Sequence, residues 1–341
     1  MTKHKNLSIF VPHEGCPNQC SFCDQKKISG TQNPPSPIEV TNLCEEFLPM
    51  NSEEGKDYEI AFFGGSFTAI NHDYMVALLE AAYPFVKSGR ARGIRVSTRP
   101  DAISDEILSV LKQYGVTAIE LGAQSMQNDV LKMNLRGHTV QAVFDASAMI
   151  KKWGFSLGLQ MMPGLYGQKY YMAYAVDTAE KFIQIKPDTV RIYPTITLKD
   201  TLLENLYQKG IYTPPSLDEM VKICAVLVKM FNDNDIKIIK LGLHADTGLE
   251  ENMVAGPYHP AMNELVQSYM MLQKFKAELL KREKGNYIIY VNPRKHSQAV
   301  GQKKSNINEL ENLGYKIIIK DDDSLCDNRV KIILEGEKQC I

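Results

Sequence analysis

The sequence predicts an α/β fold, made of a partial or full parallel (β/α)6-type barrel and a smaller α/β unit after it. The first observation is that short apolar and β-branched runs alternate with longer helical stretches as far as residue 195. Such runs are typical of strands buried on both faces, and their alternation with helices predicts a parallel sheet. The second observation is a change of pattern after residue 200. We therefore place the barrel in residues 1–245, a helical connector in 246–285 and the α/β unit in 286–341.

Six runs of strand length define the predicted barrel. They are Leu7–Val11, Glu59–Phe63, Gly93–Thr98, Val116–Leu121, Phe155–Gln160 and Thr189–Tyr193. The helices predicted between them are Asp73–Val86, Ser104–Tyr114, Val140–Trp153 and Tyr170–Ile185. In folds of this kind the chemistry lies at the carboxyl ends of the strands, so the residues just after each strand are the candidates for function.

The rest of the chain is predicted to contain two longer helices, Ser216–Asn232 and Ala261–Lys284, with a short strand between them at Ile236–Lys240. The α/β unit then begins with a strand at Tyr287–Asn292. A basic turn and a helix follow, and a last strand is predicted at Tyr315–Lys320.

Composition and charge restrict the class of protein. The chain has 341 residues, of which 44% are hydrophobic and 23% charged, as in ordinary globular proteins. Its net charge of −1 gives no global electrostatic reason to bind nucleic acid, so any such binding must come from a local patch. No apolar run approaches the ~18 residues that span a bilayer, and the first residues are polar. We therefore expect a cytoplasmic protein.

Three of the seven cysteines, Cys16, Cys20 and Cys23, lie together directly after the first predicted strand. The C-x3-C-x2-C spacing allows one loop to wrap a [4Fe–4S] cluster and to leave the fourth iron open for a small molecule. A zinc site is the alternative, but structural zinc prefers four ligands, and His13 or Asp24 would have to supply the fourth. We favour the cluster because the loop begins a β/α series and Phe22 precedes the last cysteine.

This cysteine motif, with an aromatic residue before its last cysteine, resembles the signature of the radical S-adenosylmethionine superfamily. The resemblance implies two cofactors, the [4Fe–4S] cluster and S-adenosylmethionine. It implies that the open iron binds the methionine end of the cofactor, whose reductive cleavage yields a 5′-deoxyadenosyl radical. It also implies a low-potential electron donor, a flavodoxin or a ferredoxin.

Glycines and polar residues after later strands extend this resemblance to cofactor binding. Gly64 and Gly65 fall where the superfamily contacts the methionine amino group, although Ser66 replaces its usual acidic residue. A single polar residue at the end of a strand more often has no role in ligand binding. Here, however, such residues recur at one edge of the predicted sheet. The candidate cofactor contacts are Phe22, Gly64, Gly65, Ser66, Thr98, Gln124, Gln160, Met162 and Tyr193.

Several motifs in order are similar to the radical domain of the elongator catalytic subunit family, which modifies the wobble uridine of tRNA. They are Gly64–Thr68, Thr98–Asp101, Gln124-Ser125, Arg136–Thr139, Met161–Pro163 and Tyr193–Thr195. The similarity spans residues 5 to 245. Enzymes of that family also carry a C-terminal acetyltransferase domain, for which this chain has no room, so we do not carry over the full carboxymethylation chemistry.

The segment Tyr287–Lys320 resembles a KH domain, in which a G-x-x-G turn clamps a nucleic-acid backbone. Here the turn reads Gly301-Gln302-Lys303-Lys304, so a lysine replaces the second glycine. The alternative is a small α/β cap with a solvated basic loop. The candidate RNA contacts are Arg136, His138, Arg294, Lys303 and Lys304, although His138 could instead cap the helix that begins beside Thr139.

Three hypotheses follow from these motifs. The first is a radical enzyme that modifies tRNA or another RNA, and the second is a radical enzyme that acts on a small metabolite. The third is a non-catalytic RNA-binding protein whose cysteine loop holds zinc. A second cluster is not expected, because the remaining cysteines, Cys44, Cys224, Cys326 and Cys340, have no C-x2-C spacing. The sequence identifies no further catalytic residue.

Overall fold

The computed structural model describes residues 5–12, 16, 19–24, 33–243, 247–326 and 329–336. The chain divides into two compact units, which are Met1–Met220 with Leu227–Tyr258, and Val221–Val226 with His259–Ile341. Among the described residues, no helix is both long and apolar enough to cross a membrane.

The first unit contains most of the strands and helices. Its strands are β1 (Lys5–Val11), β2 (Tyr58–Gly64), β3 (Ile94–Thr98), β4 (Val116–Gln124), β5 (Ser156–Met161), β6 (Thr189–Ile192), β7 (Thr197–Leu198), β8 (Lys237–Leu241) and β9 (Met253–Ala255). Its helices are α1 (Pro37–Phe47), α2 (Ser52–Gly55), α3 (His72–Lys87), α4 (Asp105–Gln113), α5 (Asn128–Met133), α6 (Val140–Lys152), α7 (Tyr171–Ile185), α8 (Leu202–Gln208) and α10 (Thr247–Asn252), while α9 (Leu217–Asp233) includes residues assigned to both units.

A parallel sheet organises the first unit. In the described residues it has seven strands in the order β1-β2-β3-β4-β5-β6-β8, and every neighbouring pair is parallel. This confirms the predicted partial barrel but corrects the number of its strands. The run at 236–240 was predicted as a strand outside the six-unit series, whereas it pairs with β6 as the seventh strand. The β-branched residues of this run predict a strand, but they do not indicate which sheet the strand joins.

The two faces of this sheet differ in chemistry. In β5, Leu157, Leu159 and Met161 are buried apolar residues, and they alternate with Gly158 and Gln160 on the opposite face. A Cβ on Gly158 would lie 2.8 Å from Cγ of Glu120, so this second face is the one that carries buried charge.

Buried ion pairs connect four strands on that charged face. Arg95 Nε lies 2.6 Å from Glu59, and Arg95 Nη1 lies 3.0 Å from Glu120. Glu120 also accepts from Arg191 Nε at 2.6 Å, and Arg191 Nη1 donates to Tyr193 Oη at 3.2 Å. The opposite charges compensate one another within the sheet, which is the condition for keeping them out of water.

The second unit is a small α/β structure. It contains α11 (Met262–Leu279), β10 (Asn286–Val291), α12 (His296–Val300), α13 (Ser305–Asn312), β11 (Lys316–Asp321) and β12 (Val330–Leu334). The sheet order is β11-β10-β12, with β10 parallel to β11 and antiparallel to β12. Phe275, Ile289 and Leu310 lie in its core. The sequence predicted one helix here, but two short helices flank the turn at 301–304, and β12 was not predicted.

Candidate active site

The cysteine loop follows β1, at the carboxyl edge of the sheet. Cys20 is buried and Cys16 and Cys23 are half-buried. Cys20 and Phe22 pack in an apolar cluster with Leu165, Leu203 and other residues, and Cys23 and Met162 lie against that cluster. The loop therefore presents its thiols in surroundings that exclude water on one side.

Burial and repulsion from neighbouring thiols favour the protonated form of Cys16 and Cys23 when no metal is bound. Burial, followed by the nearby Cys20 thiol, raises the pKa of Cys23 to about 12, and the same two causes raise the pKa of Cys16. A bound metal replaces the proton of each thiol, so the bond to the metal offsets the cost of deprotonating a buried thiol.

The donor set fits a cluster better than a single ion. Within the described part of the chain, no three His, Cys, Asp or Glu side chains converge closely enough to hold one metal ion. The thiolates of a [4Fe–4S] cluster bind different irons, so they need not converge on one point. His13, the alternative zinc ligand, and Cys340 lie outside the described residues. We conclude that Cys16, Cys20 and Cys23 suit a cluster with an open fourth iron.

The glycine pair joins this loop to the end of β2. Gly64 has φ +116°, and a Cβ there would lie 2.7 Å from the Val11 carbonyl oxygen, so the close approach of β1 requires glycine. The Gly65 N–H donates to the same oxygen at 3.0 Å. The backbone of Ser66 lies beside the Cys16 thiol and opposes the rise in its pKa that burial causes. The glycine segment and the cysteine loop are thus in contact.

Side-chain hydroxyls connect this segment to the end of β3. Ser66 Oγ lies 2.9 Å from Thr98 Oγ1, and Thr68 Oγ1 lies 2.6 Å from the same Thr98 atom. Ser66 Oγ also accepts from the Arg99 backbone N–H at 3.2 Å. Ser66 and Thr98 are buried, so their side chains link two strand ends.

The ends of β4, β5 and β6 bring together the remaining candidates for cofactor binding. Gln124 has φ +64° at an irregularity in the pairing of β4 with β5, a conformation that side chains rarely adopt and that concentrates at functional sites. Gln160 Nε2 donates to Gln124 Oε1 at 3.1 Å, and the Met162 N–H donates to the Gln124 carbonyl at 2.8 Å. Tyr193 lies at the end of the next strand, where burial raises its pKa.

A loop between α5 and α6, residues 134–138, holds the second half of the cysteine loop. Asn134 Oδ1 accepts from Ser21 Oγ at 2.6 Å, and the Asn134 carbonyl accepts from the Ser21 N–H at 3.2 Å. Both residues are fully buried. Arg136 Nη1 donates to Cys20 Sγ at 3.1 Å. Sequence reasoning missed Ser21 and Asn134, because an asparagine at the end of a helix signals only a cap.

Arg136 and His138 were predicted to contact RNA, but the structure places both side chains in the interior, 7% and 6% exposed. His138 Nε2 lies 3.3 Å from the Ala123 carbonyl oxygen, and burial, followed by the charge of Arg136, lowers the pKa of His138 to about 4. The Thr139 hydroxyl caps α6 by accepting from the Ala142 N–H, so His138 does not supply this cap.

The other predicted RNA contacts lie in the second unit. Lys303 and Lys304 are exposed, and their φ values of 51° and 62° form the turn between α12 and α13. A Cβ on Gly301 would lie 2.4 Å from Ser305 Oγ, so the start of the turn requires glycine. Arg294 is also exposed. The turn therefore offers cations to solvent without a partner carboxylate among the described residues.

The parallel partial barrel and the three thiols after its first strand define a cluster-binding enzyme of the β/α class. The Radical SAM superfamily matches residues 10–178, and the Radical SAM C-terminal domain matches residues 187–271. This chain belongs to the radical S-adenosylmethionine superfamily. It is an enzyme whose cofactors are a [4Fe–4S] cluster and S-adenosylmethionine, as membership of this superfamily implies, and the zinc alternative is set aside.

Individual relatives point to more than one activity. The chain is 24% identical to a tRNA uridine(34) acetyltransferase of Methanocaldococcus jannaschii over 326 residues, which cover 83% of this chain and 59% of the relative. It is 29% identical to the heme chaperone HemW of Lactococcus lactis over 221 residues, 64% of this chain and 56% of that protein. The chain thus spans less than two thirds of either relative.

A solved structure agrees with the fold. The archaeal Methanocaldococcus infernus Elp3 with an N-terminal deletion superposes with a TM-score of 0.61 at 19% identity. The superposition covers 84% of this chain and 66% of that one. At this identity the likeness supports the fold alone.

Proposed function

We propose that this protein is a radical S-adenosylmethionine enzyme that modifies tRNA. The observation that carries the proposal is the similarity to a tRNA uridine(34) acetyltransferase over 83% of the chain. A match of this extent covers more than a cofactor-binding motif, so it favours a related substrate. The exposed lysines of the turn at 301–304 support the same substrate class.

In this proposal, different residues bind the cluster and S-adenosylmethionine. Cys16, Cys20 and Cys23 hold the cluster, and the candidate contacts at the ends of β2 to β6 hold S-adenosylmethionine beside it. When bound, the two cofactors supply a radical that abstracts hydrogen from the substrate. The protein positions the cofactors and excludes water, which the apolar cluster around Cys20 and Phe22 favours.

RNA binding is proposed for the turn Gly301–Lys304. Lys303 and Lys304 are successive residues in the left-handed conformation, and both are exposed to solvent. Asn306 Nδ2 fixes the following helix by donating to the carbonyls of Ser268 and Gln298, both at 3.0 Å. A fixed turn with exposed cations suits phosphate contacts.

The test is tRNA binding by the double variant Lys303→Glu/Lys304→Glu, measured by filter retention at fixed salt. We expect binding to fall at least tenfold, because two phosphate contacts become repulsive. The matched control is Lys281→Glu/Lys284→Glu, which makes the same charge change at exposed residues of the same unit. An equal loss in both variants, or no loss in either, would contradict a role for the turn.

The activity test is formation of 5′-deoxyadenosine by the reconstituted, reduced enzyme with and without tRNA. We expect tRNA to increase the yield of 5′-deoxyadenosine, and we expect the treated tRNA to contain a modified nucleoside. A second candidate, action on a small metabolite, is favoured by the similarity to the heme chaperone HemW and by the near-zero net charge. Turnover that is undiminished in RNA-free protein on a metabolite would favour this candidate.

An electron donor and a location complete the proposal. A low-potential flavodoxin or ferredoxin would reduce the cluster, as clusters of this kind require. We also retain the cytoplasm as the proposed location.

A further inference from the structure

Arg136 is a buried cation that contacts a cluster cysteine. Its Nη1 donates to Cys20 Sγ at 3.1 Å, its Nη2 donates to the Gly122 carbonyl at 2.6 Å, and its side chain lies in the interior. Its Nε is buried and has no hydrogen-bond partner among the described residues. No carboxylate of the described chain forms an ion pair with it.

The neighbouring Arg99 shows why this lack of a carboxylate matters. Arg99 is also buried, but Asp101 neutralises it through two hydrogen bonds, of 2.9 and 2.8 Å. Buried charges are normally paired, because an unpaired charge out of water is costly. The Cys20 thiol, 3.1 Å from Arg136 Nη1, becomes a thiolate when it binds the cluster and then supplies an opposite charge.

The position of Arg136 is fixed from several sides. Its backbone carbonyl accepts from Arg99 Nη2 at 2.6 Å. Two residues earlier, Asn134 binds both the side chain and the backbone of Ser21, the residue next to Cys20. The arginine and the thiol are therefore held in register by contacts that do not depend on their own hydrogen bond.

We propose that Arg136 is a positioning residue that sets the reduction potential of the cluster through its hydrogen bond to Cys20. Reduction adds one electron, from a low-potential donor, and takes the cluster from the 2+ to the 1+ state with no proton transferred. The added negative charge strengthens a charge-assisted N–H···S bond, so the guanidinium stabilises the reduced state more than the oxidised one. This role goes beyond the proposed function and does not depend on the substrate.

The test is a potentiometric titration of the reconstituted protein, followed by the electron paramagnetic resonance signal of the reduced cluster. For Arg136→Met we expect a full iron content and about a tenfold lower equilibrium constant for reduction, or about 59 mV more negative for one electron. Arg136→Lys keeps the positive charge, and we expect its reduction potential to lie between those of Arg136→Met and the unmodified protein.

The matched control is Arg90→Met. Arg90 is a buried arginine that donates to the carbonyls of Glu45, Leu48 and Pro49 and to no cluster cysteine, so its loss weakens the fold and leaves the potential unchanged. If Arg136→Met does not load four irons, Arg136→Gln replaces it, with the same expected direction. An unchanged potential in a loaded variant, or failure of both variants to load while Arg90→Met loads, overturns the proposal.

Discussion

The cysteine loop and the basic turn at 301–304 are both short loops with predicted function, but they are built in opposite ways. The cysteine loop is held by buried partners far along the sequence, since Ser21 and Asn134 are 113 residues apart. The basic turn takes its shape from the left-handed backbone of Lys303 and Lys304, and both lysines are exposed to solvent. A cluster needs fixed, dry ligands, whereas a phosphate backbone can be met by exposed cations. The two loops should therefore respond differently to mutation.

The largest expected effect is the loss of a cluster ligand. We expect Cys20→Ala to abolish cluster assembly, since two remaining thiolates cannot hold the four irons firmly, and iron and sulfide analysis after anaerobic reconstitution measures this. Cys44→Ala is the control, because Cys44 is buried in α1 outside the loop and its variant should keep its iron. Full iron content in Cys20→Ala would contradict the assignment of the ligands.

A smaller effect is expected when the support of the loop is removed and the ligands are kept. Asn134→Ala leaves the buried Ser21 hydroxyl without its acceptor, so we expect unfolding to become easier by about 1–3 kcal/mol, with a lower iron content. Thermal or denaturant unfolding measures the first, and iron analysis the second.

The control for this variant is Asn234→Ala. Asn234 also ends a helix, and its Nδ2 donates to the Met230 carbonyl at the exposed end of α9. We expect a loss well under that of Asn134→Ala and an unchanged iron content. Equal losses of iron in both variants would show that the 134–138 loop has no special part in holding the cysteines.

The same contrast explains what the sequence could predict. The cysteine motif is local, so its spacing, its place after the first strand and Phe22 were enough to predict the three ligands. Helix α1 was not predicted, although Ser36 and Glu39 form a capping box, which is a local sequence signal of a helix start. Arg136 was recognised as a candidate functional residue, but its burial was not predicted, because it depends on contacts with Cys20 and Gly122 that the sequence does not reveal. Long-range contacts of this kind depend on the fold.

The smallest expected effect is a pH dependence of folding stability that comes from His138 in the buried 134–138 loop. His138 titrates near 6.5 when unfolded, but burial and the charge of Arg136 lower its pKa to about 4 in the folded protein. Between these values the unfolded chain takes up a proton that the folded chain does not, so stability falls as the pH falls. We expect a loss of about 1 kcal/mol between about pH 7 and about pH 5.5. His138→Gln should remove this slope, whereas the same change at His72, whose side chain is 62% exposed, should leave it in place. If the stability of His138→Gln still fell with pH in the same way, another group would be responsible, and the proposal that burial in the 134–138 loop keeps His138 neutral would be contradicted.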